Sequence, residues 1–136
     1  MPITYHPKEG ELFICDYPKD MAAPEMIKKR PVIVVSPSLK HRGSLVTVVP
    51  LSSTEPKLLM PYHVQLAFDP ALPEPWNKNP CWAICDHAMT VGFHRLNLIR
   101  LGKDQYGKRK YYQFRLDIER LSALRKAIGF SIGIIP

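Results

Sequence analysis

Negative charge is what this sequence has least of: twelve aspartates and glutamates face nineteen lysines and arginines, a formal net charge of +7. So small an acidic complement excludes a strongly acidic surface. The excess of cations attracts polyanions over a Debye length or more, which makes nucleic acid the first partner to consider, although charge alone does not decide it. Long apolar runs are missing too. Nothing approaches the roughly 18 residues of a membrane span, and MPITYHPKEGELF at the N-terminus has no apolar stretch behind a basic start. No membrane association and no secretory leader are expected, and the cytoplasm is the expected location. Cysteine is scarce and odd in number, and Cys15, Cys81 and Cys85 fit reduced thiols better than a disulfide framework. No phosphate-cradling glycine loop, His-Glu-x-x-His helix or nucleophile elbow occurs, which removes the well-marked enzyme classes. Nor is there an internal repeat, a low-complexity tract or a linker, so residues 1–136 are expected to form one domain.

What is present reads mainly as β structure. Fourteen prolines and seven glycines cut much of the chain into short pieces, which favours strands and loops over long helices. GELFICDY (Gly10 to Tyr17) is a short apolar strand. After a polar loop, RPVIVVS (Arg30 to Ser36) is β-branched and apolar on both faces, as a strand in the middle of a sheet must be. Turn chemistry in PSLKHRGS leads to LVTVVPLSS (Leu45 to Ser53), completing a hairpin in which Pro50 marks a bulge or strand end. Further strands are expected at YHVQLAF (Tyr62 to Phe68) and at CWAICDHAMTV (Cys81 to Val91), the latter bending near Asp86. RLNLIRL and KYYQFRL flank a basic hairpin tip. From Asp117 the period becomes helical: Leu121, Leu124 and Ile128 recur on one stripe, Asp117 can cap, and Gly129 can stop the helix. The pattern is a small curled antiparallel barrel closed by one C-terminal helix.

Five pieces carry a resemblance. GELFICDY, the loop Glu25 ahead of RPVIVVSP, VTVVPLSS, VQL (Val64 to Leu66) and CDHAMTV (Cys85 to Val91) stand in the order seen in the MazF/PemK toxin family, from about Gly10 to Arg95. The resemblance implies a mainly β, SH3-like antiparallel barrel with short helices, acting as a homodimer. It implies a toxin that cuts single-stranded RNA without metal or cofactor, and a cognate antitoxin protein as partner. In such a cut the ribose 2′-hydroxyl attacks the adjacent phosphate, so the protein must help remove one proton, stabilise charge on the phosphoryl oxygens and protonate the leaving oxygen.

The resemblance places the chemistry on Arg30, Ser52, Glu25, Asp86 and His87. Arg30 is suited to the phosphoryl charge, because a guanidinium stays cationic and presents rigid donors matched to phosphate oxygens; its reference pKa above 12 argues against a general base. Ser52 stands where the family carries threonine, keeping the hydroxyl, and Ser53 or Thr54 can serve if the strand end is shifted by a bulge. Glu25 can orient the arginine or accept a proton. Asp86 matches a family aspartate, and His87 stands where relatives often carry glutamine; histidine titrates in the range that suits an acid or base. Two departures remain: Ile84 replaces an arginine and Pro24 a histidine found in PemK-like relatives. The proton acceptor is left open among Glu25, His87 and solvent.

Cations for an RNA backbone are expected at Lys28, Lys29, Arg95, Arg109 and Lys110, with Tyr111 and Tyr112 beside the last two either stacking on bases or packed inward. Zinc at Cys81, Cys85, His87 and His94 is disfavoured, because an extended strand sets positions 81 and 85 roughly 13 Å apart. Two other readings share the fold: a non-catalytic CcdB-like topoisomerase inhibitor or nucleic-acid-binding barrel, and a degenerate family member kept as a regulatory subunit.

Overall fold

The computed structural model describes residues 2–17, 22–24 and 29–134. Nine strands and one helix follow in order: β1 (Leu12–Cys15), β2 (Arg30–Val34), β3 (Leu45–Ser52), β4 (His63–Leu66), β5 (Cys81–Ile84), β6 (Met89–Gly92), β7 (Leu96–Asn97), β8 (Arg100–Lys103), β9 (Arg109–Tyr111) and α1 (Ile118–Ser131). Seven strands form one antiparallel sheet ordered β4-β5-β3-β2-β1-β7, with β6 also on β3, while β8 and β9 make a separate two-stranded ribbon.

The sheet is curled by its own connections. β6 pairs with β3 and β7 pairs with β1, so a flat sheet would hold β6 and β7 roughly 19 Å apart at ordinary strand spacing. Yet only the 3-10 turn Phe93–Arg95 joins them, and four residues reach at most about 14 Å when fully extended. The ends of the sheet must therefore bend toward each other. β6 and β7 do not pair, so the expected barrel is corrected to a curled sheet that stays open.

Both faces of that sheet are packed. Alternate residues Leu12, Ile14, Ile33, Val49 and Leu51 join Leu121, Leu124 and Ala127 of α1 in one apolar cluster. Their neighbours Phe13, Cys15, Val32, Val34, Val46 and Val48 meet Ile3, Val91 and Leu96 in a second. Two-sided burial is the reason β2 lacks the polar alternation of a surface strand.

Pro50 does not end its strand. β3 continues to Ser52, and the irregularity lies in the neighbouring chain: Leu45–Val48 pair with β6, Leu51 and Ser52 pair with β5, and the 3-10 turn Cys85–His87 is extruded between. Proline, with no N–H to give, sits where the neighbouring ladder is interrupted. The bend near Asp86 is this turn.

α1 begins where the sequence indicates, Asp117 accepting the Arg120 N–H at 2.8 Å. It does not stop at Gly129. The helix runs to Ser131 and ends at Gly133, whose φ of +98° suits glycine. Ile134 N–H donates to Gly129 O at 2.8 Å and Gly133 N–H to Phe130 O at 3.1 Å, the paired bonds of a Schellman end. Arg125 fastens the helix to the sheet, donating from Nε to Val35 O at 3.0 Å and from Nη2 to Glu9 Oε2 at 2.5 Å.

Gly10 is demanded by its surroundings. Its φ is +86°, and a Cβ there would stand 2.8 Å from the backbone oxygen of Leu116. Gly10→Ala is therefore expected to cost upward of about 1 kcal/mol, read as a lower urea midpoint; an unchanged midpoint would show that the Leu116 segment can move aside.

Candidate functional site

The register of the sheet assembles the candidate residues. β2 and β3 pair with Val32 opposite Pro50, Ile33 opposite Val49 and Val34 opposite Val48; extended by two residues, the same register sets Arg30 opposite Ser52. Ser52 in turn faces Trp82 on β5, and Trp82 faces Gln65 on β4. On the other side of β2, Arg30 is opposite Cys15 of β1. A single cross-strand row thus reads Cys15, Arg30, Ser52, Trp82, Gln65, with neighbours about 5 Å apart at Cβ. Alternation puts this row on the face of Val32 and Val48, and Arg30 is near enough to Tyr17 in the second cluster for its charge to act on the hydroxyl. Burial, with Cys15 adding, pushes that hydroxyl's pKa well up, while Arg30 pulls the other way.

Arg30 is half-buried and Ser52 is half-buried beside exposed Ser53 and Thr54. The Ser52 hydroxyl is held loosely by its own turn, accepting the Thr54 N–H at 3.2 Å and donating to Thr54 O at 3.4 Å. These long bonds are easily exchanged for a ligand oxygen.

Asp86 and His87 occupy the extruded 3-10 turn on the far side of β3 from Arg30, with His87 Nε2 at 3.9 Å from Asp86 Oδ2. They flank the middle of β3, opposite Val49 and Pro50, while Arg30 and Ser52 share its end. Glu25 and Lys28 lie outside the described residues. No motif singles out Trp82 or Gln65; only the pairing register reveals that an indole and a carboxamide continue the row from Ser52.

The cations separate into groups. Arg95 sits in the turn between β6 and β7, donating from Nη1 to Asp16 O at 3.4 Å, at the same end of β1 as Arg30. Lys29, just before β2, lines with Arg100 and Arg109 a cleft of about 540 Å³ that also holds Tyr5, Trp76 and Tyr111 and does not include Arg30. Lys110 is exposed one residue along β9 and is not among the cleft's lining residues. The two tyrosines divide: Tyr111 lines the cleft, whereas Tyr112 is buried, its hydroxyl donating to Pro70 O at 2.6 Å.

The thiols are core groups. All three are buried, and burial pushes Cys15 to about 12, Cys81 to about 11 and Cys85 to about 12, with the Asp86 charge adding at Cys85 and the Arg95 charge opposing at Cys15. Cys81 and Cys85 both point into the first cluster, and among the described residues no three histidine, cysteine or acidic side chains gather to hold a metal ion. A thiol whose folded pKa lies above the unfolded value of 9.0 adds stability that is whole below pH 9. That contribution drains away as pH rises toward 11 and 12. Urea midpoints are expected to fall across this window, and a thiol-specific reagent at pH 8 to label the protein only after urea is added. Prompt labelling of the native protein would contradict the burial.

Among the described residues no helix is long and apolar enough to cross a membrane. Comparison with known folds gives consistent neighbours. MazF from Deinococcus radiodurans superposes with a TM-score of 0.64 at 19% identity over 96% of this chain and 99% of that one. A mycobacterial endoribonuclease in complex with its cognate antitoxin gives 0.62 at 16% identity over 96% and 99%. The Mycobacterium tuberculosis toxin MazF-mt6 gives 0.55 at 20% identity over 93% and 99%. At these identities the likeness shows the fold. A sequence comparison with proteins of curated function returned no match. The family model for the PemK-like, MazF-like toxin of type II toxin-antitoxin systems matches residues 8–129, nearly the whole of both core clusters and the row through Arg30 and Ser52, and the chain belongs to that family.

Proposed function

We propose that this chain is the toxin of a type II toxin-antitoxin system, a metal-independent endoribonuclease that cleaves single-stranded RNA selectively by 2′-hydroxyl transesterification. What supports this reading is the β2–β3 register, which, continued two residues beyond the Val32–Pro50 pair, brings half-buried Arg30 and Ser52 opposite each other at the strand ends. A pure binding barrel has no need of that pair. In the reaction the 2′-oxygen bonds to phosphorus, its proton leaves to an acceptor, and the bond from phosphorus to the 5′-oxygen breaks as that oxygen takes a proton. The products are a 2′,3′-cyclic phosphate and a 5′-hydroxyl. Arg30 holds the charge gathering on the phosphoryl oxygens, and Ser52 donates a second hydrogen bond to them.

His87, at the flank of β3 with the Asp86 carboxylate 3.9 Å from its Nε2, Glu25 or solvent receives and returns the proton. Lys28, Lys29, Arg95, Arg109 and Lys110 carry the RNA backbone. The curled open sheet, with its 3-10 turn between β6 and β7, is read as SH3-like in arrangement and as a single domain over residues 1–136, working in the cytoplasm as a homodimer. Its positive surface, +7 overall, suits an acidic antitoxin segment that folds on binding; among the structural neighbours, one mycobacterial endoribonuclease is found in complex with its cognate antitoxin.

The test is a long unstructured RNA incubated with purified protein in EDTA, with the cut ends mapped by chemistry and sequence. Recurrent cut sites bearing cyclic phosphates are expected. RNA left intact at high protein concentration would transfer the fold to the topoisomerase-binding or regulatory readings.

A further inference from the structure

The Arg30–Ser52 row leaves unexplained the cleft lined by Lys29, just before β2. Lys29, Arg100 and Arg109 meet Tyr5, Trp76 and Tyr111 there. None of the three cations has a salt bridge among the described residues, and no carboxylate stands among the described residues lining the cleft. Nor do the three rings stack on other aromatic rings of the described residues. Trp76 also packs against the first apolar cluster, while exposed Lys29, Arg100, Arg109 and Tyr5 and half-buried Tyr111 face the same opening beside it.

Their order matters as well as their company. Arg100 stands opposite Tyr111 across the β8–β9 ribbon, and Arg109 lies two residues from Tyr111 on the same strand. Strand alternation puts all three on one ribbon face, as a cation, a ring and a cation. Single-stranded nucleic acid presents the complementary alternation of phosphate, base and phosphate, and rings accept any base face. Asn97, also in the cleft, supplies an amide that can donate to or accept from a base edge. An acidic peptide would satisfy the cations but leave three aromatic faces without planar partners. A second depression adjoins the first through Tyr5, Leu98 and Tyr111, but it is lined by the Glu11 carboxylate as well as by Lys8 and Arg115, so the carboxylate-free lining belongs to the first cleft.

We propose that this cleft holds an unpaired nucleotide of the RNA, its base lying on Tyr111, Tyr5 and Trp76 and its flanking phosphates on Lys29, Arg100 and Arg109. The inference rests on the ribonuclease reading for its ligand class. Because Lys29 of the cleft directly precedes Arg30, the first residue of β2, the held nucleotide lies close to the reacting phosphate, anchoring the RNA beside the cut.

The experiment separates binding from cutting by using a short 2′-O-methylated RNA of mixed sequence, which has no 2′-hydroxyl to attack. Affinity of the full chain is followed by anisotropy of the labelled RNA and by protein fluorescence. Tyr111→Ala and the pair Arg100→Ala with Arg109→Ala are each expected to weaken binding at least tenfold, and Tyr111→Phe to stay within about twofold of the unaltered protein, since the ring is kept. The slope of log affinity against log salt is expected to fall by about 0.7 for each cation removed. Fluorescence is expected to change on binding, and the change to disappear in Trp76→Phe.

Unaltered affinity in the alanine variants overturns the site while leaving the ribonuclease reading intact. Tight, variant-sensitive binding by a protein that fails to cut the unmodified RNA supports the site and overturns the ribonuclease reading instead. A polyglutamate peptide that outcompetes the RNA and shows the same losses assigns the cleft to an acidic protein segment and overturns the nucleotide. Variants that shift the monomer-dimer equilibrium without changing RNA affinity assign it to a second copy of the chain, which overturns the proposal equally.

Discussion

Arg30→Ala is expected to slow RNA cleavage about 10³-fold, the scale on which an arginine supports phosphoryl transition states elsewhere. In the proposed reaction the guanidinium supplies a permanent charge and two parallel donors where the phosphoryl oxygens gain charge, and water admitted by the truncation replaces neither. Arg30→Lys keeps the charge and loses the fork, so it is expected to recover only part of the rate. Ser52→Ala removes one hydrogen bond from a partly solvated position and is expected to cost closer to tenfold, while Ser52→Thr is expected to retain activity. Single-turnover cleavage with saturating protein is the measurement, because it reads the chemical step apart from RNA binding. Arg30 is half-buried at a strand start, so the urea midpoint of each variant is measured alongside, and rates are compared only under conditions in which the variant is fully folded. Arg30→Ala retaining more than a tenth of the rate would remove Arg30 from the chemistry.

Much of this arrangement is local and therefore legible in the order of residues alone. The two-faced apolar run of β2 announces a strand packed on both sides, and the change of period at Asp117 announces α1. The order of the Gly-Glu-Leu strand, the Arg-Pro strand and the Pro-Leu-Ser-Ser strand end carries the resemblance through which Arg30 and Ser52 are expected to share one chemistry. Only the pairing register makes them neighbours, since it depends on Val32 meeting Pro50 rather than a residue to either side. Trp82 and Gln65 stay invisible in the sequence for the same reason: each joins the row through pairing with a strand distant along the chain.

Gly129 misleads because two glycines close to the helix end both fit a stop signal. The stop falls at Gly133, whose backbone takes the left-handed turn, while Gly129 stays buried where the Ile134 side chain lies 3.4 Å from its Cβ position. The open sheet is equally hidden. Strand count and alternation are the same in a closed and an open sheet, and the difference lies in whether β6 and β7 exchange hydrogen bonds. The cleft draws Tyr5, Trp76 and Arg100 from three separated segments, and no spacing rule connects them.

Leu124→Ala is expected to destabilise the protein by about 3 kcal/mol, within the range for removing a buried leucine that cannot be fully compensated by collapse. Leu124 is 0% exposed on the inner stripe of α1 and packs with Leu121 and Ala127 into the cluster that covers one sheet face. α1 packs chiefly against the 3-10 turn Cys85–His87 and β4 and shares its cluster with Ile14, Ile33 and Val49, so the helix is part of the core rather than an appendage. Its attachment also reaches the candidate site asymmetrically. α1 packs against the 3-10 turn bearing Asp86 and His87, whereas Arg30 and Ser52 belong to the opposite face, under which the second cluster lies. The urea midpoint is expected to drop with the denaturant slope unchanged, while cleavage measured well below the melting temperature falls only as far as Asp86 and His87 are disturbed. Glu119→Ala, on the exposed side of the same helix, is expected to stay within about 0.5 kcal/mol. A loss under about 1 kcal/mol for Leu124→Ala would mean that α1 is not part of the core, and that the first cluster holds without it.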